Sequence, residues 1–160
     1  MTSSGRSKMI DKHMKALKES NGKKVEAGWF ESDRYGATKK DSTGTSVAKI
    51  ARINEFGATI TRGEVTYQIP ARPFMRSAWL KFRADRKKIQ AKIAKQIIEK
   101  KITGEQALGE IGNILEGYIV GSIRDGGWQG NADSTIKKKG FDKPLIDTGH
   151  MWKTVNSKVS

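Results

Sequence analysis

Two of the chain's three prolines stand three residues apart in "IPARPFMR" (69–76), and they divide the sequence around them. Pro70 has no N–H to give a sheet ladder, so a strand must end there or run along an edge. Pro73 suits the first turn of a helix, where a backbone N–H has no partner anyway. Ala71 and Arg72 are held extended between them. Any fold for this chain must turn a strand into a helix within these few residues.

Both sides of the corner fit that demand. Upstream, "ATIT" and "EVTYQI" alternate around Arg62-Gly63, the pattern of a hairpin with strands at 58–61 and 64–69. Val65, Tyr67 and Ile69 share one face, and Glu64, Thr66 and Gln68 the other. Downstream, Trp79, Phe82, Ile89, Ile93 and Ile97 recur at helical spacing and predict a helix over about 73–101. Lys81, Arg83, Arg86, Lys87, Lys88, Lys92 and Lys95 cover much of its remaining surface. Thr103 and Gln106 make a capping box that opens a second helix over about 104–124, with Leu108, Ile111, Leu115, Tyr118, Ile119 and Ile123 as its stripe. The joint "KKITG" is short, so the two helices should form an antiparallel hairpin. Trp79, Phe82, Ile89 and Ile93 should then face Leu108, Ile111, Leu115 and Tyr118.

The rest of the chain reads as shorter elements. Met9, Ile10, Met14 and Leu17 mark an amphipathic helix within an N-terminal arm, 1–22, stopped at Gly22. Val25, Ala27 and Trp29 alternate in a strand over 23–30. Ser46 caps a helix over 47–56, with Val47, Ile50, Ala51 and Phe56 inward and Gly57 as its stop. Segments 31–45 and 125–143 are long polar loops, the kind that usually carry function. Asp147 or Thr148 caps a brief helical turn, and 154–159 closes as a last strand. The expected fold is a single α+β domain, 1–160, with the helical hairpin packed on a small mixed or antiparallel sheet.

The sequence carries little chemistry. His13 and His150 lie on distant elements, outside any metal-ligand spacing, and the chain has no cysteine. "GGWQG" lacks the Lys-Ser/Thr of a phosphate loop. Glu55 is the best lone carboxylate but has no acid–base partner at useful spacing. The expectation is therefore no enzyme, no catalytic residue, no cofactor and no metal. No apolar run is long enough to span a membrane. A net charge of +14 leaves two openings. One is a polyanion bound through phosphate contacts, which would make the chain a basic DNA-binding protein. The other is a charged face that meets acidic protein neighbours.

Three landmarks go further when taken together: "VAKIARINEFG" (47–57), "IPARPFMR" (69–76) and "STIKKKGFDKPLIDTGHM" (134–151). In this order and spacing the chain resembles the tail-completion or neck proteins of tailed bacteriophages, a family that includes head–tail connector and virion-morphogenesis proteins. The resemblance spans roughly residues 23–160; the lysine-rich helix and the "GGWQGNAD" insertion depart from the family pattern. It implies a structural protein of the virion neck, made in the host cytoplasm, that assembles as a ring, commonly of six subunits. Implied partners are portal and head–tail adaptor proteins, tail terminator, tube or sheath proteins, and DNA in the channel. On this resemblance Arg72, Phe74, Met75 and Arg76 at the corner become interface candidates, with Glu55 as the competing internal partner for the arginines. Lys39, Lys40, Trp128, Lys137, Lys138 and Lys139 on the two loops are the others.

Overall fold

The computed structural model describes residues 3–37, 43–99 and 101–160, with only the backbone of residues 3–6, 9, 13 and 62. Helices α1 (Ser3–Ser20), α2 (Val47–Phe56), α3 (Phe74–Ile98), α4 (Gly104–Asp125), α5 (Asp133–Lys139) and α6 (His150–Lys153) are interspersed along the chain with strands β1 (Val25–Gly28), β2 (Ala58–Arg62), β3 (Val65–Ile69) and β4 (Asn156–Val159). The mixed α+β class is as the sequence reads. The strands do not form one sheet, however. Val25 to Gly28 pair antiparallel with Asn156 to Val159, closing the chain's two ends together, while β2 and β3 pair only with each other.

The helical hairpin α3–α4 is the spine. Its second arm starts at the expected capping box: Gln106 N–H donates to Thr103 Oγ1 at 3.2 Å, and Thr103 N–H donates to Gln106 Oε1 at 2.8 Å. One side of α4 lies on α3 and another carries the β1–β4 pair. Small residues permit that second contact. A Cβ on Gly112 would stand 2.5 Å from Ser157 Oγ, and one on Gly104 would stand 2.4 Å from the Ala16 carbonyl of α1. The buried line of α4 is accordingly Gly104, Ala107, Gly112, Ile119, Ser122 and Ile123, and the expected Leu108, Ile111, Leu115 and Tyr118 are half-buried beside it.

Two apolar clusters result. The larger joins Val47, Ala51, Phe74, Ala78, Ile119, Ile123 and Met151; the smaller joins Ala16, Ile93, Ile97 and Ala107 at the far end of the spine. Several expected core residues lie outside both. Trp79 is exposed, stacked on Phe82 at 5.6 Å at the rim of a small pocket that it shares with Leu115 and Tyr118 of α4. Ile10, Met14 and Leu17 of α1 are exposed, since the helix rests on the spine through Ala16. Phe56, expected inward, is exposed, and Glu55 takes the inward place.

The two long segments are more structured than expected. Segment 125–143 contains α5, ended by Gly140 in the left-handed region at φ 81°. The ends of segment 31–45 are tied: Tyr35 N–H donates to the Thr45 carbonyl and Arg34 Nη1 to the Gly44 carbonyl. The residue that caps α6 is Gly149, in the left-handed region at φ 78°, and not Asp147 or Thr148 as expected; Thr148 Oγ1 accepts from His150 N–H at 3.3 Å just ahead of it.

Candidate functional site

The corner at 69–76 begins with a missing cap. The residue before α3 is Pro73, which offers no side-chain acceptor, so the first N–H groups of the helix need one from elsewhere. Glu55 supplies it from α2. Its carboxylate accepts from Met75 N–H at 2.8 Å and Arg76 N–H at 3.3 Å, and from Arg76 Nε at 3.1 Å. A negative charge at a helix N-terminus also meets the positive end of the macrodipole. That explains a buried glutamate. The α2–β2 junction is equally constrained: a Cβ on Gly57, at φ 75°, would stand 2.8 Å from the Ile69 carbonyl.

Arg72 points inward and is only 4% exposed. Its Nε donates to the Gln129 carbonyl at 2.9 Å, its Nη2 to the Gly130 carbonyl at 3.0 Å, and its Nη1 reaches Asn54 Oδ1 at 3.4 Å. Burial lowers its affinity for the proton, and Asp142 nearby opposes that shift. The expectation that Arg72 faces a neighbouring subunit is thus corrected: its guanidinium turns inward, where three of its nitrogens hold Gln129, Gly130 and Asn54. Phe74 is corrected too, being fully buried with Trp29 edge-on at 5.9 Å. Met75 is half-buried against the same cluster. Of the four corner candidates only Arg76 is well exposed, and it also lies over the Phe56 ring at 5.6 Å.

What the corner presents is an apolar groove of about 730 Å³, lined by Trp29, Ala51, Phe56, Met75 and Trp79 among others. Beside it rises the β2–β3 hairpin. Ala58 opposes Ile69, Ile60 opposes Tyr67 and Arg62 opposes Val65, so these residues share one face of the ribbon. The other face carries Thr59, Thr61, Thr66 and Gln68, with Thr59 Oγ1 donating to Gln68 Oε1 at 3.0 Å. No other helix or strand packs substantially on this ribbon among the described residues. Val65 and Tyr67 are consequently about half exposed, at 52% and 50%. An isolated two-stranded hairpin is marginal in water, and an apolar face needs cover.

The loop candidates divide. Lys39 and Lys40 lie outside the described residues. Trp128 is half-buried and donates from Nε1 to the Ser122 carbonyl at 2.8 Å, closing the end of α4. Lys137 and Lys138 are exposed on α5. Lys139 turns back, donating to the Lys143 carbonyl at 2.8 Å with its ammonium 4.8 Å from the Phe141 ring centre. Burial and the nearby Arg72 push its pKa down, against Asp147 and Asp142.

Between the two loops lies a mixed cleft of about 400 Å³ that includes Tyr35, Asn54, Asn131, Ile146, Asp147 and His150. Its polar groups bond within the chain: Asn131 Nδ2 donates to Asp142 Oδ1 at 2.9 Å, and His150 Nε2 stands 2.9 Å from the Arg34 carbonyl. Burial first, and Asp147 second, raise the Tyr35 hydroxyl above its ordinary pKa. Leu145, a lining residue, sits at φ 63°, a strained conformation for a branched side chain.

Compared with protein families, with curated proteins and with solved structures, the chain matches none. Among the described residues no helix is long and apolar enough to cross a membrane.

Proposed function

We propose that this chain is a structural subunit of the neck of a tailed-phage virion, assembling with its own copies into a closed ring. The ring completes the tail end and joins it to the head, touching portal or adaptor proteins on one side and tail proteins on the other. The observation that carries the reading is the bare apolar face of the β2–β3 hairpin, projecting next to an apolar groove at a rigid corner. An arm and a groove are different patches, so a contact passed from copy to copy runs head-to-tail, and it closes into a ring where the rotation between copies closes. The three sequence landmarks supply the phage context. Such a role requires no catalytic residue, cofactor or metal.

Light scattering on the purified chain, together with a complementation assay for tail joining, tests it. The wild type should elute as one closed oligomer. Val65→Thr with Tyr67→Thr keeps strand-forming side chains while removing the apolar face, and should leave a monomer that melts normally but does not complete tails. A wild type that stays monomeric at every concentration and salt, and joins no tails, contradicts the proposal.

A further inference from the structure

Helix α3 has a second face that the spine does not use. Leu80, Ala84, Lys87 and Ala91 follow one another by four, three and four residues, so they lie on one line along the helix. All four are exposed. Lys81, Lys88 and Lys92 run along one flank of that line; Arg83, Arg86 and Gln90 run along the other, and these six are exposed as well.

The acids near α3 are committed elsewhere. Asp85 accepts from the Tyr118 hydroxyl, Glu99 pairs with Lys95 and Lys101, and Glu55 holds Arg76. Among the described residues no carboxylate pairs with Lys81, Arg83, Arg86, Lys87, Lys88 or Lys92. This surface is therefore a positive rod whose crest carries Ala84 and Ala91 with Lys87 between them, and whose slopes carry the other five cations.

We infer that the outward face of α3 binds duplex DNA, with the Ala84–Ala91 crest entering the major groove and the flanking cations reaching the phosphates of both walls. The shape favours DNA over an acidic protein. A flat acidic partner is met by a line of cations along the crest, whereas here the crest carries only Lys87 and the other five cations stand to either side of it. The major groove is about 12 Å wide and admits one α-helix. The crest offers Leu80, two alanines and the ammonium of Lys87, and no amide or carboxylate, so the binding is to backbone and groove shape and not to a base sequence. The inference does not rest on the ring, since a monomer carries the same face.

The test measures binding of a short duplex of arbitrary sequence by fluorescence anisotropy between about 50 and 200 mM salt. With all six cations engaged, the log–log salt slope should be about −5, at about −0.9 per phosphate. Lys81→Gln, Lys87→Gln and Lys88→Gln combined should reduce that slope by about 3 on the same count. Lys137→Gln with Lys138→Gln, on α5, should leave it unchanged. Ala91→Phe alters no charge, and should weaken binding at least tenfold at an unchanged slope, because a bulky crest cannot seat in the groove. Each variant is exposed, and a matching melting curve confirms its fold. Equal losses per lysine on α5 and α3 overturn the assignment to α3. Wild-type affinity in Ala91→Phe overturns groove insertion, and tighter binding to polyglutamate than to the duplex assigns the face to an acidic protein instead.

Discussion

The corner at 70–76 and the hairpin at 58–69 are adjacent in sequence and opposite in fate. The corner is saturated from within: Glu55 caps α3, Arg72 clasps segment 128–130, and Phe74 is fully buried. The hairpin is satisfied only along its ladder, and its apolar face has no cover among the described residues. Rigid arginines and aromatics next to prolines suggest an edge presented to a partner. Here they are the brace, and the segment they brace is what faces outward.

That contrast can be broken most forcefully at Phe74. Phe74→Ala should cost about 3–5 kcal/mol in denaturant unfolding, the range for a fully buried aromatic ring. A loss below about 0.5 kcal/mol, typical of surface positions, would move Phe74 out of the core. Arg72→Ala comes next. It removes the donor from the Gln129 and Gly130 carbonyls, which lie on an exposed segment that water can reach, and the two lost hydrogen bonds cost about 0.5–1.5 kcal/mol each. Amides around residues 128–130 should exchange faster in that variant, and unchanged exchange there would remove the clasp.

On the other side of the comparison, Val65→Thr with Tyr67→Thr should change monomer stability by no more than about 0.5 kcal/mol, since nothing in the monomer packs on that face. A large destabilisation would show that the hairpin is part of the body after all. The smallest effect is on the spine. The hydrogen bond to Asp85, helped by burial and the carboxylate's charge, raises the Tyr118 hydroxyl above its ordinary value near 10.0. A phenol whose folded pKa is raised lends stability below its unfolded pKa and loses it as pH climbs through the folded one. Asp85→Asn should therefore bring the Tyr118 phenolate transition to lower pH in an ultraviolet titration; an unmoved curve would separate the two groups.

The local grammar of the chain was legible. The Thr103–Gln106 capping box, Ser46 ahead of α2, the break at Gly57 and the alternation of Val65, Tyr67 and Ile69 all rest on short-range chemistry, and all stand where the sequence puts them. Orientation was not. Periodicity alone gave α4 an apolar face at Leu108, Ile111 and Leu115, but Gly112 and Gly104 let other elements approach, and small residues carry no apolar signal. Likewise Phe56 looked like core, and Glu55 was legible as an internal partner for the arginines, which it is for Arg76, but not as a buried helix cap. The reversal comes from a need on another element, the uncapped start of α3, which no window around residue 55 contains. Pro73 was the one available hint, because a proline at a helix start brings no acceptor of its own. The β1–β4 pairing joins residues at opposite ends of the chain, and their alternation names no partner.

Hydrogen exchange as a function of protein concentration tests the central claim most directly, because it reads the brace and the arm in one experiment. Amides of Arg72, Met75 and Arg76 should be protected at every concentration, since Asn54 and Glu55 of the same chain hold them. Amides of the β2–β3 hairpin should exchange quickly in dilute monomer and become protected as the oligomer forms, with Val65→Thr and Tyr67→Thr abolishing that gain. A hairpin whose exchange is the same in monomer and oligomer would contradict the account.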